Sequence, residues 1–130
     1  MVKLPRPTDA ELQILTVLWE LGPATVREVH DRLASKHDAG YTTILKLMQI
    51  MTDKGLVERD ESQRSHIYRA KLKQEQTQKQ LLGDLLSRAF QGSANRLVMR
   101  AIELSDLSSA ELAEIRLLIT EKEKSKSPKK

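Results

Sequence analysis

Polar side chains that could read the edges of DNA bases recur along the segment "AGYTTILKLMQIMTDKGLVERD", residues 39–60. Nothing from Thr42 to Lys54 breaks a helix, and Gly55 provides a natural end. The polar residues on one side of this predicted helix are Thr42, Thr43, Lys46 and Gln49. Glutamine can pair with adenine, lysine with guanine, and threonine with a phosphate or a thymine methyl group. The spacing indicates a DNA-reading helix, and an ordinary solvated helix back is the alternative.

Apolar residues occupy the other side of the same helix at helical spacing: Ile44, Leu47, Met48 and Met51. They predict a buried stripe that faces a core. Leu45 and Ile50 lie off this stripe, among the polar residues. These two residues are either contacts to thymine methyl groups or the edge of a wide core stripe, and the sequence leaves both interpretations open.

A short β-hairpin is predicted in "LVERDESQRSHIYRA", with strands Leu56–Arg59 and His66–Ala70 around a polar turn. A hairpin tip that lies along a phosphate backbone needs hydrogen-bond donors and cations. The tip carries Arg59, Gln63, Arg64, Ser65 and His66. Of these, Arg59, Arg64 and His66 are predicted DNA contacts, and an ordinary exposed turn is the alternative. Three acidic residues would repel phosphate unless they point away: Glu58, Asp60 and Glu61.

Three segments begin with the capping-box pattern S/T-x-x-E: Thr8–Glu11, Thr25–Glu28 and Ser108–Glu111. The first predicts a helix that ends near Leu21, before the turn at Gly22-Pro23. The second predicts a helix that continues to about Ser35. Three helices followed by a hairpin indicate a winged helix-turn-helix, in which Thr25–Ser35 holds Tyr41–Lys54 for the major groove.

Beyond Leu72 the sequence predicts three more helices, whose apolar stripes exceed what about fifty residues can bury among themselves. A second copy of the chain would close such a patch by two-fold symmetry. The residues predicted at this interface are Leu82, Leu85, Leu86, Leu97, Leu112, Ile115, Leu118 and Ile119. The predicted fold is therefore mainly α with a small β-hairpin. It comprises a winged helix-turn-helix domain (residues 1–72), a three-helix dimerisation region (73–122) and a basic flexible tail (123–130).

Net charge does not by itself identify a DNA-binding protein here. The chain of 130 residues carries a formal charge of +4, but residues 1–70 hold ten basic and ten acidic side chains. The last ten residues, EKEKSKSPKK, contain five lysines against two glutamates. The positions of individual cations must therefore indicate whether the chain binds DNA, because contacts to phosphates need only a few cations.

Several classes of protein are excluded or disfavoured by what the sequence lacks. Without cysteine the chain has neither a disulfide framework nor a thiolate metal site. His30, His37 and His66 do not have the close spacing of zinc ligands, so no metal or other cofactor is predicted. No catalytic motif is present, which disfavours an enzyme. No apolar run or signal-type N-terminus indicates membrane insertion, and the expected location is cytoplasmic.

Three blocks of sequence occur in an order and spacing that resemble the penicillinase-repressor family, the BlaI/MecI/CopY-type winged-helix regulators. The blocks are PTDAELQILTVLWELGPATVREVH, YTTILKLMQIMTDKGLVERD and LSSAELAEIRLLI. The resemblance covers about residues 5–122 and implies a homodimer that represses transcription from palindromic operators. By position it implies that Tyr41, Thr42, Thr43 and Lys46 belong to the recognition helix and Arg64 to the wing.

Two regulatory mechanisms are known among members of this family, and this sequence lacks the residues that each of them uses. In resistance-linked members a zinc-dependent membrane sensor protease leads to cleavage between Asn and Phe in the dimerisation region. The positions that align with this site are Arg100 and Ala101. Copper-responsive members carry clustered C-terminal cysteines, and since this chain has no cysteine, that copper-sensing mechanism is excluded.

The resulting hypothesis is a homodimeric repressor that binds double-stranded operator DNA and is released by proteolysis or another signal linked to a membrane sensor. The alternative is a winged-helix protein–protein interaction module. In that case the helix carrying Leu45 and Ile50 would dock onto another protein rather than onto DNA.

Overall fold

The computed structural model describes residues 4–34 and 39–126. Within these ranges the chain forms six helices and one two-stranded antiparallel sheet. The helices are α1 (Asp9–Leu21), α2 (Val26–Ala34), α3 (Tyr41–Lys54), α4 (Gln74–Phe90), α5 (Ala94–Leu104) and α6 (Ser109–Lys126). The strands are β1 (Val57–Asp60) and β2 (Ile67–Ala70). The predicted architecture, mainly helical with a winged helix-turn-helix at its N-terminal end, is confirmed.

All three predicted capping boxes form. In the first, the Thr8 hydroxyl accepts a hydrogen bond from the Glu11 N–H (3.2 Å), and the Glu11 carboxylate accepts one from the Thr8 N–H (2.9 Å). The same reciprocal pair of bonds starts α2 at Thr25 and α6 at Ser108. Because these bonds satisfy amides that the helix itself leaves unpaired, they explain why the three helices begin where they do.

The two helices of the helix-turn-helix are α2 and α3. The predicted end of α2 at Ser35, and His37 in the connection, lie outside the described residues. Helix α3 ends at Gly55, whose φ of 85° is a left-handed conformation that glycine adopts without strain.

A single core binds the first three helices to the hairpin. Its buried members include Ile14, Leu15, Leu18, Val29, Ile44, Met48, Met51, Leu56, Val57 and Tyr68. The predicted buried stripe of α3 holds for Ile44, Met48 and Met51, but Leu47 is only partly buried at the edge of the core. Leu45 is also partly buried against the core. The apolar face of α3 is therefore wider and less sharply bounded than its spacing predicts.

The strands begin one residue later than predicted. The Leu56 N–H bonds the Met51 carbonyl at 2.9 Å, so Leu56 completes the end of α3 instead of opening β1. Pairing then extends from Val57 with Ala70 to Asp60 with Ile67, which leaves His66 in the turn. Ala24 and Tyr68 exchange two backbone bonds of 2.8 Å, so the segment between α1 and α2 also attaches to the hairpin.

The first compact unit ends at Asp84 and the second begins at Leu85, within α4. The predicted boundary at 72/73 is too early because long-range contacts hold the first half of α4 to the first unit. Arg6 forms an ion pair with Asp84 (3.0 Å), and the Gln80 side chain donates to the Leu4 carbonyl (2.9 Å).

Helix α6 continues to Lys126, so the first four residues of the predicted flexible tail are helical. Lys124 and Lys126 lie in its last turn, where positive charge complements the helix dipole. The rest of the predicted tail lies outside the described residues.

Candidate nucleic-acid interface

Helix α3 presents the predicted base-reading residues to solvent. Ile44, Met48 and Met51 are held in the core, which turns the opposite side of the helix outward. The side chains exposed on that side are Tyr41, Thr42, Thr43, Lys46, Gln49 and Ile50. The two uncertain aliphatic residues therefore differ: Leu45 packs at the edge of the core, whereas Ile50 is 39% exposed.

An open cleft of about 420 Å³ lies beside the N-terminal end of α3. It is lined from three elements: the start of α2, the start of α3, and the hairpin. The lining residues are Thr25, Val26, Arg27, Tyr41, Leu45, Arg64, Ser65, His66 and Tyr68. This cleft brings together three predicted contacts, Tyr41, Arg64 and His66. None of the described residues that line it is acidic, so it is suited to an anion.

Arg27 of α2 lines this cleft, and His30 lies beside it against Tyr41. Neither residue was predicted from the sequence as a DNA contact. The guanidinium carbon of Arg27 lies 4.9 Å from the centroid of the Tyr41 ring, and His30 approaches the same ring edge-on at 6.0 Å. His30 also lies 3.3 Å from the Asp31 carboxylate. The i, i+3 spacing of Arg27 and His30, which puts both on one side of α2, is the signal that could have identified them.

The two predicted arginines of the hairpin differ in how they are held. Arg59 forms an ion pair with Glu61 (2.6 Å). The pKa of Arg59 is raised above its ordinary value, foremost by side-chain hydrogen bonding with Tyr68 and further by Glu61. Arg64, by contrast, has no ion-pair partner in the part of the chain that the structure describes. Arg64 is therefore the better placed of the two to bind a phosphate.

The acidic residues of the hairpin are engaged within it. Two nitrogens of Arg69 donate to one oxygen of Glu58, at 2.9 and 2.6 Å. Asp60 accepts a hydrogen bond from the Ser62 N–H (2.9 Å), and this bond is the main cause that lowers the pKa of Asp60. Glu58 is thus paired with Arg69 and Glu61 with Arg59, so these two carboxylates oppose an approaching phosphate less than their number indicates, whereas the Ser62 bond favours the charged form of Asp60.

In the second unit, helices α5 and α6 have no fully buried residue. Of the residues predicted to dimerise, Leu86, Leu97, Leu112 and Ile115 are partly buried, and Leu82, Leu85, Leu118 and Ile119 are exposed. Leu82 lies in the first unit. The apolar surface of these helices thus exceeds what they cover within one chain.

Neither a metal site nor a membrane-spanning element is found in residues 4–34 and 39–126. No three His, Asp or Glu side chains in these ranges are grouped so that they could hold a metal ion. No helix there is both long and apolar enough to cross a membrane.

Comparison with known proteins finds similarity to bacterial repressors over nearly the whole chain. The penicillinase repressor family matches residues 7–121. The penicillinase repressor of Bacillus licheniformis is 24% identical over 121 residues, which cover 93% of this chain and 94% of that one. The methicillin resistance regulatory protein MecI of Staphylococcus aureus is 21% identical over 115 residues, 88% of this chain and 94% of that one.

Other matches cover only part of the chain. The transcriptional regulator BlaI of Mycobacterium tuberculosis is 38% identical over 69 residues, and the match spans half the length of that protein. The solution structure of monomeric Bacillus licheniformis BlaI in complex with the blaP half-operator is 24% identical, with a TM-score of 0.50. It covers 58% of this chain and 92% of the other. This likeness establishes the winged-helix fold of the first unit.

Proposed function

The chain belongs to the penicillinase repressor family, and on this premise we propose that it is a homodimeric transcriptional repressor that binds a palindromic DNA operator. The observation that carries this proposal is the cleft at the start of α3. There the exposed recognition helix, Arg27 of α2 and the tip of the hairpin converge, and none of the described lining residues is acidic. A duplex offers matching chemistry, a groove of donors and acceptors flanked by phosphates.

In the proposed complex, the exposed side of α3 enters the major groove and reads base edges. Lys46 suits the acceptors of guanine, and Gln49 suits the donor and acceptor of adenine. Thr42 and Thr43, in the first turn of α3, suit a phosphate or a thymine methyl group. Ile50 is the exposed aliphatic residue of this face and would lie against a thymine methyl or a sugar edge.

The cleft and the hairpin tip would bind the backbone that borders the same groove. Arg27 of α2 and Arg64 of the hairpin supply charge to the cleft, and Tyr41, Ser65 and His66 supply hydrogen-bonding groups. Such contacts fix the position of the protein on the duplex and make affinity depend on salt. In this proposal base contacts on α3 set the preferred sequence and the cleft supplies affinity that is common to all sequences.

Dimerisation would come from the second unit. Its helices leave predicted interface residues such as Leu85, Leu118 and Ile119 exposed, and a second copy would cover that surface by two-fold symmetry. Two linked DNA-binding units convert the second half-site contact into an intramolecular step, which raises affinity by roughly 10²–10⁴.

Release from DNA would follow from the same linkage. Any signal that separates the paired second units removes the second half-site and most of the affinity. Proteolysis driven by a membrane sensor protease is one such signal. Arg100 and Ala101, the positions that align with the family's cleavage site, are exposed on α5.

The alternative, a winged-helix module that binds another protein through α3, is favoured by the exposed Ile50. Against it, Leu45 is partly buried against the core, so the two residues do not form one exposed apolar patch. A docking surface for a protein needs a contiguous patch at its centre. The DNA interpretation also accounts for Arg27 and Arg64, which this alternative leaves without a role.

Selection from a randomised duplex library tests the proposal. The full chain should enrich one sequence with two-fold symmetry, and its affinity for that duplex should fall steeply as salt rises. A chain that enriches no sequence, or that binds duplexes without dependence on salt, would contradict the proposed function.

A further inference from the structure

Glu11 is the only charged residue of the described chain whose side chain is buried, with 2% of its surface exposed. Its Oε1 accepts a hydrogen bond from the Thr8 N–H (2.9 Å) in the capping box of α1. The same oxygen accepts a second bond, of 2.7 Å, from Nζ of Lys54. Because Lys54 is the last residue of α3, one carboxylate joins the first turn of α1 to the last turn of the recognition helix.

A capping box alone does not account for this arrangement. Glu28 and Glu111 occupy the equivalent positions of the other two boxes, and both are exposed. Neither forms an ion pair within the described residues. Burial of a carboxylate is unfavourable unless it is paired and hydrogen-bonded. The burial of Glu11 together with its lysine partner therefore serves something besides the start of α1.

We propose that Glu11 is a positioning residue for DNA recognition, which acts through Lys54 to fix the angle at which α3 presents its base-reading side chains. This inference rests on the proposed function. Tyr41 and Lys54 are the two ends of α3, which a rise of about 1.5 Å per residue separates by roughly 20 Å. A rotation of about 5° at Lys54 would then move the base-reading end by about 2 Å, more than the roughly 0.5 Å that a recognition site tolerates.

The apolar core by itself leaves this angle less well defined. Ile44, Met48 and Met51 anchor one side of α3, but hydrophobic contacts are non-directional. An ion pair with a buried partner has a defined geometry and can select one arrangement among several that pack similarly well. Lys54 holds the end of α3 that lies farthest from the cleft, so its ion pair complements the contacts between Tyr41 and α2 at the other end.

The experiment uses the full chain and two probes. One is the duplex that the wild-type chain selects from a randomised library, and the other is a duplex of the same composition and scrambled sequence. The readout is the ratio of the affinities for the two probes, together with the sequence that each variant selects. A merely structural role for Glu11 would change stability but not this ratio in the folded protein.

Two variants remove the ion pair. Glu11→Gln keeps an oxygen that can accept from the Thr8 N–H but loses the charge that holds Lys54. Glu11→Gln with Lys54→Met removes both charges, so no buried charge is left unpaired and the fold is spared the largest penalty. Lys54→Arg is the conservative variant, and Glu20→Gln is the matched control because Glu20 pairs with Arg32 of α2 and not with α3.

In the two variants without the ion pair, the ratio of the affinities for the selected and scrambled duplexes should fall about tenfold, and the selected sequence should become less specific. In Lys54→Arg and Glu20→Gln the same ratio should stay within about twofold of wild type. If the folded double variant keeps the wild-type ratio and selects the wild-type sequence, the proposal is overturned. A wild-type chain with no sequence preference would instead reject the proposed function on which the inference rests.

Discussion

The guanidinium carbon of Arg27 lies 4.9 Å from the centroid of the Tyr41 ring, so a cation–π contact joins the first turn of α2 to the first residue of α3. Such a contact at an exposed site contributes about 0.5–1 kcal/mol. It also keeps the arginine beside the cleft before any ligand arrives. Because less side-chain freedom is then lost on binding, a phosphate contact from Arg27 is favoured over one from a freely moving cation.

Replacement of Arg27 by Ala should weaken DNA binding to all sequences about equally and reduce the slope of log affinity against log salt by about 1. The reason is the loss of one phosphate contact without the loss of a base contact. Fluorescence anisotropy at several salt concentrations measures both effects. Lys79→Ala is the matched control, since it removes one positive charge from α4 at a position that does not line the cleft. Equal slopes for Arg27→Ala and wild type would refute the phosphate contact.

Arg64→Ala and Arg59→Ala should have different effects. Loss of Arg64 should weaken binding to every duplex and reduce the slope of log affinity against log salt by about 1. The reason is that this arginine has no ion-pair partner within the described residues and is available to a phosphate. Loss of Arg59 should instead lower the free energy of unfolding, since its guanidinium is held by Tyr68 and Glu61. DNA titrations at two salt concentrations measure the effect on binding, and urea denaturation measures the effect on stability. An Arg64→Ala variant with unchanged affinity and salt slope would show the wing assignment to be wrong.

Substitution of Lys46 should change which sequence is bound. Lys46 is exposed in the middle of α3, where it faces base edges in the proposed complex, and one base contact contributes about 1–3 kcal/mol of discrimination. Lys46→Ala should therefore lose preference at one position of each half-site while other positions are retained. Selection from a randomised library measures this. A uniform loss of affinity with the same selected sequence would contradict a role in base reading.

Features set by neighbouring residues could be predicted from the sequence. The capping boxes at Thr8, Thr25 and Ser108 depend on side chains three residues apart, and the end of α3 depends on one glycine. The exposed side of α3 likewise follows from the period of the helix. The predicted positions of Thr42, Thr43, Lys46 and Gln49 on the exposed side are confirmed for this reason.

Features that depend on how distant helices and strands pack against one another could not be predicted from local sequence patterns. Lys54 pairs with Glu11 across 43 residues of sequence, and Arg6 reaches Asp84 across 78. No local pattern indicates either partner, and this is why the first unit extends past the predicted boundary at residue 72. The contact of Arg27 with Tyr41 depends on the angle between α2 and α3.

Leu118→Asp should disrupt the proposed dimer. Leu118 is 66% exposed on α6, and a carboxylate there would be costly to bury against a second copy. Sedimentation equilibrium should show a monomer, and affinity for a full palindrome should fall by roughly 10²–10⁴ while affinity for a half-site is kept. Thr120→Asp, which introduces the same charge on the opposite side of α6, should remain dimeric. A dimeric Leu118→Asp variant would contradict this placement of the interface.

Stability should fall on acidification through Glu11. Burial acts to raise the pKa of Glu11, but the bonds from Lys54 and Thr8 outweigh it, so the pKa lies below its ordinary value of 4.5. Because the folded-state pKa is the lower one, the carboxylate contributes stability above pH 4.5 that is lost as the pH falls through the folded-state value.

Urea denaturation between about pH 7 and pH 3 should show a smaller loss of unfolding free energy in Glu11→Gln than in wild type. Glu28→Gln is the control, since that exposed carboxylate holds the equivalent position in the capping box of α2 and has no ion-pair partner within the described residues. If Glu11→Gln lost as much stability with falling pH as wild type, the ion pair with Lys54 would not be what makes the fold sensitive to acid.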